Sequence, residues 1–138
     1  MPLHRSIAPA LLLAALACSG GPTDPGETEG LRAVVTTPSL ALGADIPVVL
    51  RNQASAEVTV GPLDCSASLE RRNPADGSWT RLASLRSCIA IVHQVPNGDS
   101  FAFDVPSPDA TGRYRVAFSA QVAGRGTVEV RSNSFEVK

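Results

Sequence analysis

The sequence predicts an all-β domain in which antiparallel sheets stack as a sandwich. Apolar and polar residues alternate with period two along several short runs, turn residues interrupt those runs at short intervals, and no stretch carries the apolar stripe of an amphipathic helix. About eight or nine short strands at such spacing is the pattern of a sandwich or barrel.

Leu31 to Thr37 is the first strand, ended by Pro38; Pro47 to Asn52 is the second, and Glu57 to Val60 a short third closed by Gly61-Pro62. Cys65 to Arg72 alternates Cys65, Ala67 and Leu69 against Ser66, Ser68 and Glu70, and Asn73-Pro74-Ala75-Asp76-Gly77 turns it into Ser78 to Leu82 as a hairpin. Ser87 to Val95 is more continuously apolar, and Pro96-Asn97-Gly98-Asp99 returns it into Phe101 to Val105; Asn-Gly between two such runs is the strongest short hairpin signal. After Pro106, Pro108 and Gly112, the strand Tyr114 to Val122 sets Tyr114, Val116, Phe118, Ala120 and Val122 on one face and Arg113, Arg115, Ser119 and Gln121 on the other. One face is therefore buried and the other wet. Gly124-Arg125-Gly126 turns into Val128 to Arg131, and Ser134 to Lys138 is the last strand, with Phe135 and Val137 inward. Aromatic bulk comes only from Trp79, Tyr114, Phe101, Phe103, Phe118 and Phe135, so the core is read as mostly Val, Leu, Ile and Ala, with Trp79 inside it.

Ahead of these strands, residues 1–17 have the parts of an export signal: His4 and Arg5 near the start, an apolar run from Ile7 to Ala17, and small residues at the cut. The run is about 11 residues, whereas a bilayer-spanning helix takes roughly 20. Ala14-Ala15-Leu16-Ala17-Cys18 resembles the lipobox of bacterial lipoproteins, which implies that Cys18 is lipidated on sulfur and becomes the new N-terminus. A diacylglyceryl group on Cys18 makes a lasting anchor, because more than one acyl chain holds durably. Residues 18–30 are then the lipidated cysteine and a flexible tether, since Ser19 to Gly30 are rich in Gly, Pro and acids and bury too little to fold. In diderm bacteria, Ser rather than Asp after the cysteine goes with outer-membrane sorting. The expected location is therefore exported and lipid-anchored in the cell envelope, in the outer membrane where the source is diderm. Residues 31–138 remain, about 108, which is room for one sandwich core of roughly 100 residues and no second domain.

The 12 basic residues include Arg5, so cleavage leaves 11 against 13 acids, a net charge of about −2 that gives no electrostatic case for nucleic acid. Outside the cytoplasm thiols oxidise, so Cys65 and Cys88 are expected to pair with each other. On the loop-entropy account a closed loop of about 24 residues stabilises by roughly 3 kcal/mol.

Signatures of chemistry are sparse. No Gly-x-Ser-x-Gly, His-Glu-x-x-His or Gly-rich phosphate loop occurs, and His93 stands by an apolar strand without a histidine or cysteine partner in spacing. Asp64, Asp76, Asp99, Asp104 and Asp109 are scattered and mostly in turns, where Asp bonds its own backbone, and no Asp-x-Asp-x-Asp loop with a closing Glu suggests calcium. The arginines alone show a pattern. Arg71, Arg72, Arg81 and Arg86 cluster around one hairpin and Arg113 and Arg115 share a wet strand face, so Arg71, Arg72, Arg81, Arg113 and Arg115 are the candidate interaction residues, interleaved with Glu70 and Asp76 as on an ordinary solvated sheet.

Thr111-Gly112-Arg113-Tyr114-Arg115-Val116 resembles the penultimate strand of immunoglobulin-like and fibronectin-like domains, where Gly-x-Tyr-x-apolar makes a tyrosine corner. Val116 stands where antibody domains have the second cysteine, so their inter-sheet disulfide is absent. A longer resemblance, over Val48 to Ser119, is to bacterial immunoglobulin-like modules of the intracellular-proteinase-inhibitor (BsuPI-like) type: Val49-Leu50-Arg51-Asn52, a hairpin whose return strand carries Trp79, the turn from Val95 to Phe101, and Gly112-x-Tyr114. It implies an immunoglobulin-like antiparallel β-sandwich of about 8 strands. No residue here matches a reactive site, so inhibition does not carry over with the architecture. The resulting expectation is a non-catalytic interaction or structural module of the envelope, needing no cofactor or metal, with another protein or an envelope polymer as partner. A proteinase inhibitor is the alternative.

Overall fold

The computed structural model describes residues 28–83 and 91–138, the side chains of Asp64 and Cys65 excepted. Within them run β1 (Leu31–Val35), β2 (Ser39–Leu40), β3 (Ile46–Asn52), β4 (Val58–Val60), α1 (Leu63–Ser66), β5 (Ser68–Arg72), β6 (Trp79–Arg81), β7 (His93–Val95), β8 (Ser100–Val105), β9 (Gly112–Val122), β10 (Gly126–Arg131) and β11 (Phe135–Val137). The smaller sheet is β1-β3-β8, antiparallel throughout. The larger is organised on β9: β4 and then β5 line one of its edges, β10 and then β11 the other. Beyond these, β7 pairs with β4, β6 with β5, and β2 runs parallel to β11. The chain is an immunoglobulin-like β-sandwich, with more strands than the sequence pattern predicts and, among the described residues, one parallel strand pair beside the antiparallel ones.

Burial follows the period-two pattern because each strand shows alternate side chains to the two faces. Leu31, Ala33 and Val35 of β1, Ile46, Val48 and Leu50 of β3, and Tyr114, Val116, Phe118, Ala120 and Val122 of β9 all lie in the core between the sheets. Phe103 meets Phe118 edge-on across the sheets at 5.5 Å between ring centroids. The tyrosine corner is formed: the Tyr114 hydroxyl donates to the Ala110 carbonyl at 2.7 Å, pinning the loop before β9 to the strand. Tyr114→Phe leaves the ring packed and removes only this bond, so it is expected to lower stability by about 1–2 kcal/mol, seen as a reduced urea midpoint at unchanged slope.

Four sequence expectations are corrected. Asn97-Gly98 does not close a hairpin: β7 belongs to the larger sheet and β8 to the smaller, so the turn crosses between them. It is held over the end of β3 by Asn52 N–H donating to Asp99 O at 2.9 Å and Gly98 N–H donating to Asn52 O at 2.8 Å. Of the expected strand from Ser87, the described part is strand only over His93–Val95, and Ile91 and Val92 are exposed. Cys65 lies in the helical turn α1 and not on a strand: the chain along β9 is interrupted after β4, where Pro62 offers no N–H and a Cβ on Gly61 would stand 2.6 Å from the Ile91 carbonyl oxygen. Trp79, expected inside, is half-buried on the outer face of the larger sheet and takes no part in the core. The lipidation at Cys18 and the Cys65–Cys88 pairing fall outside the described residues, as does Arg86.

The two ends of the sandwich are distinct. At one, Gly30 O accepts from Gln53 N–H at 2.8 Å, Leu31 pairs with Asn52, and Glu29 bonds Arg125 at 2.6 Å, so the segment from residue 28 enters here. At the other, Ile46 pairs with Val105, Gly112 with Val137, and Gly43 N–H donates to the Ser107 hydroxyl at 2.9 Å. The loops after β2, β5 and β8 and the Lys138 terminus gather at this far end.

Candidate functional site

The outer face of the larger sheet collects the arginines by register. Glu70 of β5 lies opposite Arg81 of β6 on one side and Arg115 of β9 on the other, and Arg72 lies opposite Trp79. Glu70 is buried, 5% exposed, although it faces away from the core. Its Oε2 accepts from Arg115 Nε at 2.6 Å and from Arg131 Nε at 3.3 Å, and its Oε1 from Arg81 Nη2 at 3.1 Å. Arg81 and Arg131 also bind Glu129, the latter at 2.7 Å through Nη2. Arg115 lies over the Trp79 ring, 4.3 Å from guanidinium carbon to centroid. The network ties β6, β5, β9 and β10 together and roofs Ala117, which is fully buried yet outside the inter-sheet core. Burial pushes the Glu70 carboxyl up, but the hydrogen bond and charge of Arg115, joined by Arg81 and Arg131, outweigh it and hold the group below its ordinary 4.5. Glu129 is likewise lowered, chiefly by its bond from Arg81.

These contacts sort the candidate arginines. Arg81 and Arg115 are engaged with carboxylates, and Arg131 and Glu129, not singled out from the sequence, complete their network. Arg71 is fixed differently: Nη2 donates to Thr111 O at 3.0 Å and its guanidinium carbon lies 5.9 Å from the Tyr114 centroid. Arg72 and Arg113 follow one step beyond the last paired position, Arg71 opposite Tyr114, which makes them neighbours on the outer face. Among the described residues neither has an ion-pair or hydrogen-bond partner. With Arg71, Asn73, Asp76 and Gly77 they line an open recess of about 540 Å³ at the far end of the sandwich.

No family model and no curated protein matches the chain. Among solved structures it is similar to an ASH/PapD-like domain of human CEP192 (PapD-like domain 7), 12% identical with a TM-score of 0.38, over 99% of this chain and 98% of that one. It is also similar to Pseudomonas fluorescens alkylpurine DNA glycosylase AlkC, in a structure bound to DNA containing an abasic site analog: 16% identical, TM-score 0.35, over 79% of this chain and 30% of that one. At such distances a likeness carries neither ligand nor activity.

Two further depressions flank the recess at the same end. Thr111, Gly112, Arg113, Glu136, Val137 and Lys138 line one; Leu42, Asp45 and the segment Pro106 to Asp109 belong to the other. Asp76 serves its turn, Oδ1 accepting from Ser78 N–H at 2.9 Å, and Asn73 Oδ1 accepts from Ala75 N–H at 3.0 Å. His93 stacks on Phe101 at 4.2 Å between centroids, a contact that bridges the sheets where β7 crosses to β8. Among the described residues no three His, Cys, Asp or Glu side chains converge as a metal set.

Proposed function

We propose that the chain is a non-catalytic binding module of a cell envelope, lipid-anchored through Cys18, that meets its partner with the end of the sandwich remote from the tether. One observation carries this reading: three depressions, lined by Arg72 and Arg113, by Lys138, and by Pro106 to Asp109, gather at the end opposite to where residues 28–31 enter. A tether of residues 18–30 fastened at the near end would present that far end outward, toward another protein or an envelope polymer. The resemblance of Ala14 to Cys18 to a lipobox supports the anchor, and the sparse catalytic signatures support binding over turnover.

Cys18→Ala is expected to move the protein from the membrane fraction to the soluble fraction, and mass spectrometry of the unchanged protein should find a diacylglyceryl adduct on Cys18. An unchanged distribution would remove the anchor from the proposal. Capture of envelope components on the purified chain should be lost on changing the loops at Leu42–Asp45 and Pro106–Asp109, and kept on changing Gln53, Ser55 and Arg125 at the near end. The reverse pattern would refute the far-end assignment. The loops an inhibitor would insert into a protease cleft, Pro106 to Thr111 and Asn73 to Gly77, lie at the same far end, so stoichiometric block of a protease with these loops uncut would favour the inhibitor of the BsuPI-like type instead.

A further inference from the structure

We infer that the recess between the β5–β6 turn and the start of β9 is a site for an acidic saccharide unit of a surface polymer, whose carboxylate or sulfate is received by Arg72 and Arg113. The inference rests on the far-end binding reading and names its ligand chemistry.

The charge arrangement is the first argument. Glu70 and Glu129 engage Arg81, Arg115 and Arg131, and Arg71 is spent on Thr111 O and the Tyr114 ring. Arg72 and Arg113 are left side by side without an ion pair, since Glu136, opposite Arg113 on β11, is bonded to Lys138 at 3.1 Å, and like charges on adjacent strand positions repel. Asp76, the acid nearest in the lining, uses its carboxylate on the Ser78 N–H and makes no ion pair with Arg72. An anion between the two guanidiniums turns that repulsion into attraction, and their forked N–H groups match the oxygens of a carboxylate or sulfate.

The lining selects the class of molecule. Asn73 and Asp76 use one side-chain oxygen each within their turn, which leaves the Asn73 amide group and the second Asp76 oxygen in the lining to bond hydroxyl groups. A volume of about 540 Å³ accepts a sugar-sized unit, and its openness lets a chain continue beyond it. The polar walls suit a saccharide better than an acyl chain. The position, away from the entry of residues 28–31, suits a polymer outside the anchoring membrane better than that membrane's own headgroups.

The test uses the full chain in detergent micelles and isothermal titration with polygalacturonate. Uncharged dextran, polyglutamate and phosphatidylglycerol vesicles serve as the other arms. Polygalacturonate should bind, dextran should not, and the joint variant Arg72→Gln with Arg113→Gln should weaken binding at least about tenfold, that is by about 1.4 kcal/mol. Arg51→Gln, on the other sheet, should leave affinity unchanged. Melting curves verify that the variants fold; should the glutamine pair unfold, Arg72→Lys with Arg113→Lys keeps the charge and loses the fork, and a several-fold loss is expected from it. Binding of dextran as tight as polygalacturonate, equal or tighter binding of polyglutamate or vesicles, or unchanged affinity in the folded variant would each overturn the inference. If polygalacturonate fails to bind while far-end loop changes still abolish envelope capture, the saccharide assignment falls and the far-end reading stands; if those loop changes leave capture intact, the far-end reading itself falls.

Discussion

Glu70→Gln is expected to destabilise the domain by about 3 kcal/mol, the scale of removing one partner from a buried ion pair. Three guanidiniums, from Arg81, Arg115 and Arg131, converge on this one carboxylate, and a neutral amide returns no charge and one acceptor oxygen in place of two. For a domain of this size the loss corresponds to a fall in Tm of more than about 10 °C. Glu129→Gln, at a half-exposed position bonded by two of the same arginines, should cost about 1 kcal/mol or less.

The pH dependence gives the same claim a sign. Glu70 is held below its ordinary 4.5 in the folded chain, so its contribution is complete above that value and is lost as pH falls through the lower folded value. The gap in Tm between the unchanged protein and Glu70→Gln should therefore be widest near neutrality and close as pH is lowered from about 5 toward about 3. A gap constant across that range would show that the carboxylate is not what the arginines stabilise.

What was legible in the sequence is what depends on neighbours along the chain. Period-two alternation located nearly every strand because burial on one face is a local pattern, and the turns at Asn73–Gly77 and Gly124–Gly126 close real hairpins because β5 pairs with β6 and β9 with β10. Gly112-x-Tyr114 marked the tyrosine corner. What was not legible depends on pairing across the chain. Asn97-Gly98 has hairpin chemistry, yet the strands on either side of it join different sheets, and the crossing turn is bonded to Asn52, more than 40 residues upstream, a contact no local pattern announces. A lone Trp reads as core on hydrophobicity, but β5 register puts Trp79 opposite Arg72 on the outside. The arginines formed one pattern in the sequence; side-chain contacts separate Arg81 and Arg115, ion-paired with Glu70, from Arg72 and Arg113, which make no ion pair among the described residues although Glu136 lies opposite Arg113. Glu129 and Arg131, two apart on one strand, share a face, and that spacing was the signal for the rest of the network.

Asn52 carries the second large effect. Its side chain is fully buried at the near end: Nδ2 donates to Val95 O at 2.8 Å and to Ala56 O at 2.9 Å, while Oδ1 accepts from Ala54 N–H at 2.9 Å. It thereby clips the end of β3 in one sheet to the end of β7 in the other. Asn52→Ala removes these three hydrogen bonds, two of them buried and one part-buried, and is expected to cost about 3 kcal/mol. Asn52→Asp discriminates the hydrogen bonds from packing, because it keeps the shape while replacing the amide donor by an acid. Ionised, the acid sets a negative oxygen against two carbonyls; protonated, it regains one donor. Burial raises such an acid in the folded state, so the variant loses stability as pH climbs above the unfolded value of about 3.9. Stability measured relative to Asn52→Ala should therefore improve as pH falls from about 7 to about 4, opposite in sign to the Glu70 effect. An aspartate variant that tracks the alanine variant at every pH, or an alanine variant within about 1 kcal/mol of the unchanged protein, would refute the clip. Because Asn52 is at the tether end and Arg72 and Arg113 at the other, these variants should bind polygalacturonate with unchanged affinity wherever they remain folded, so a loss of affinity in them would mean that the two ends are coupled through the sandwich.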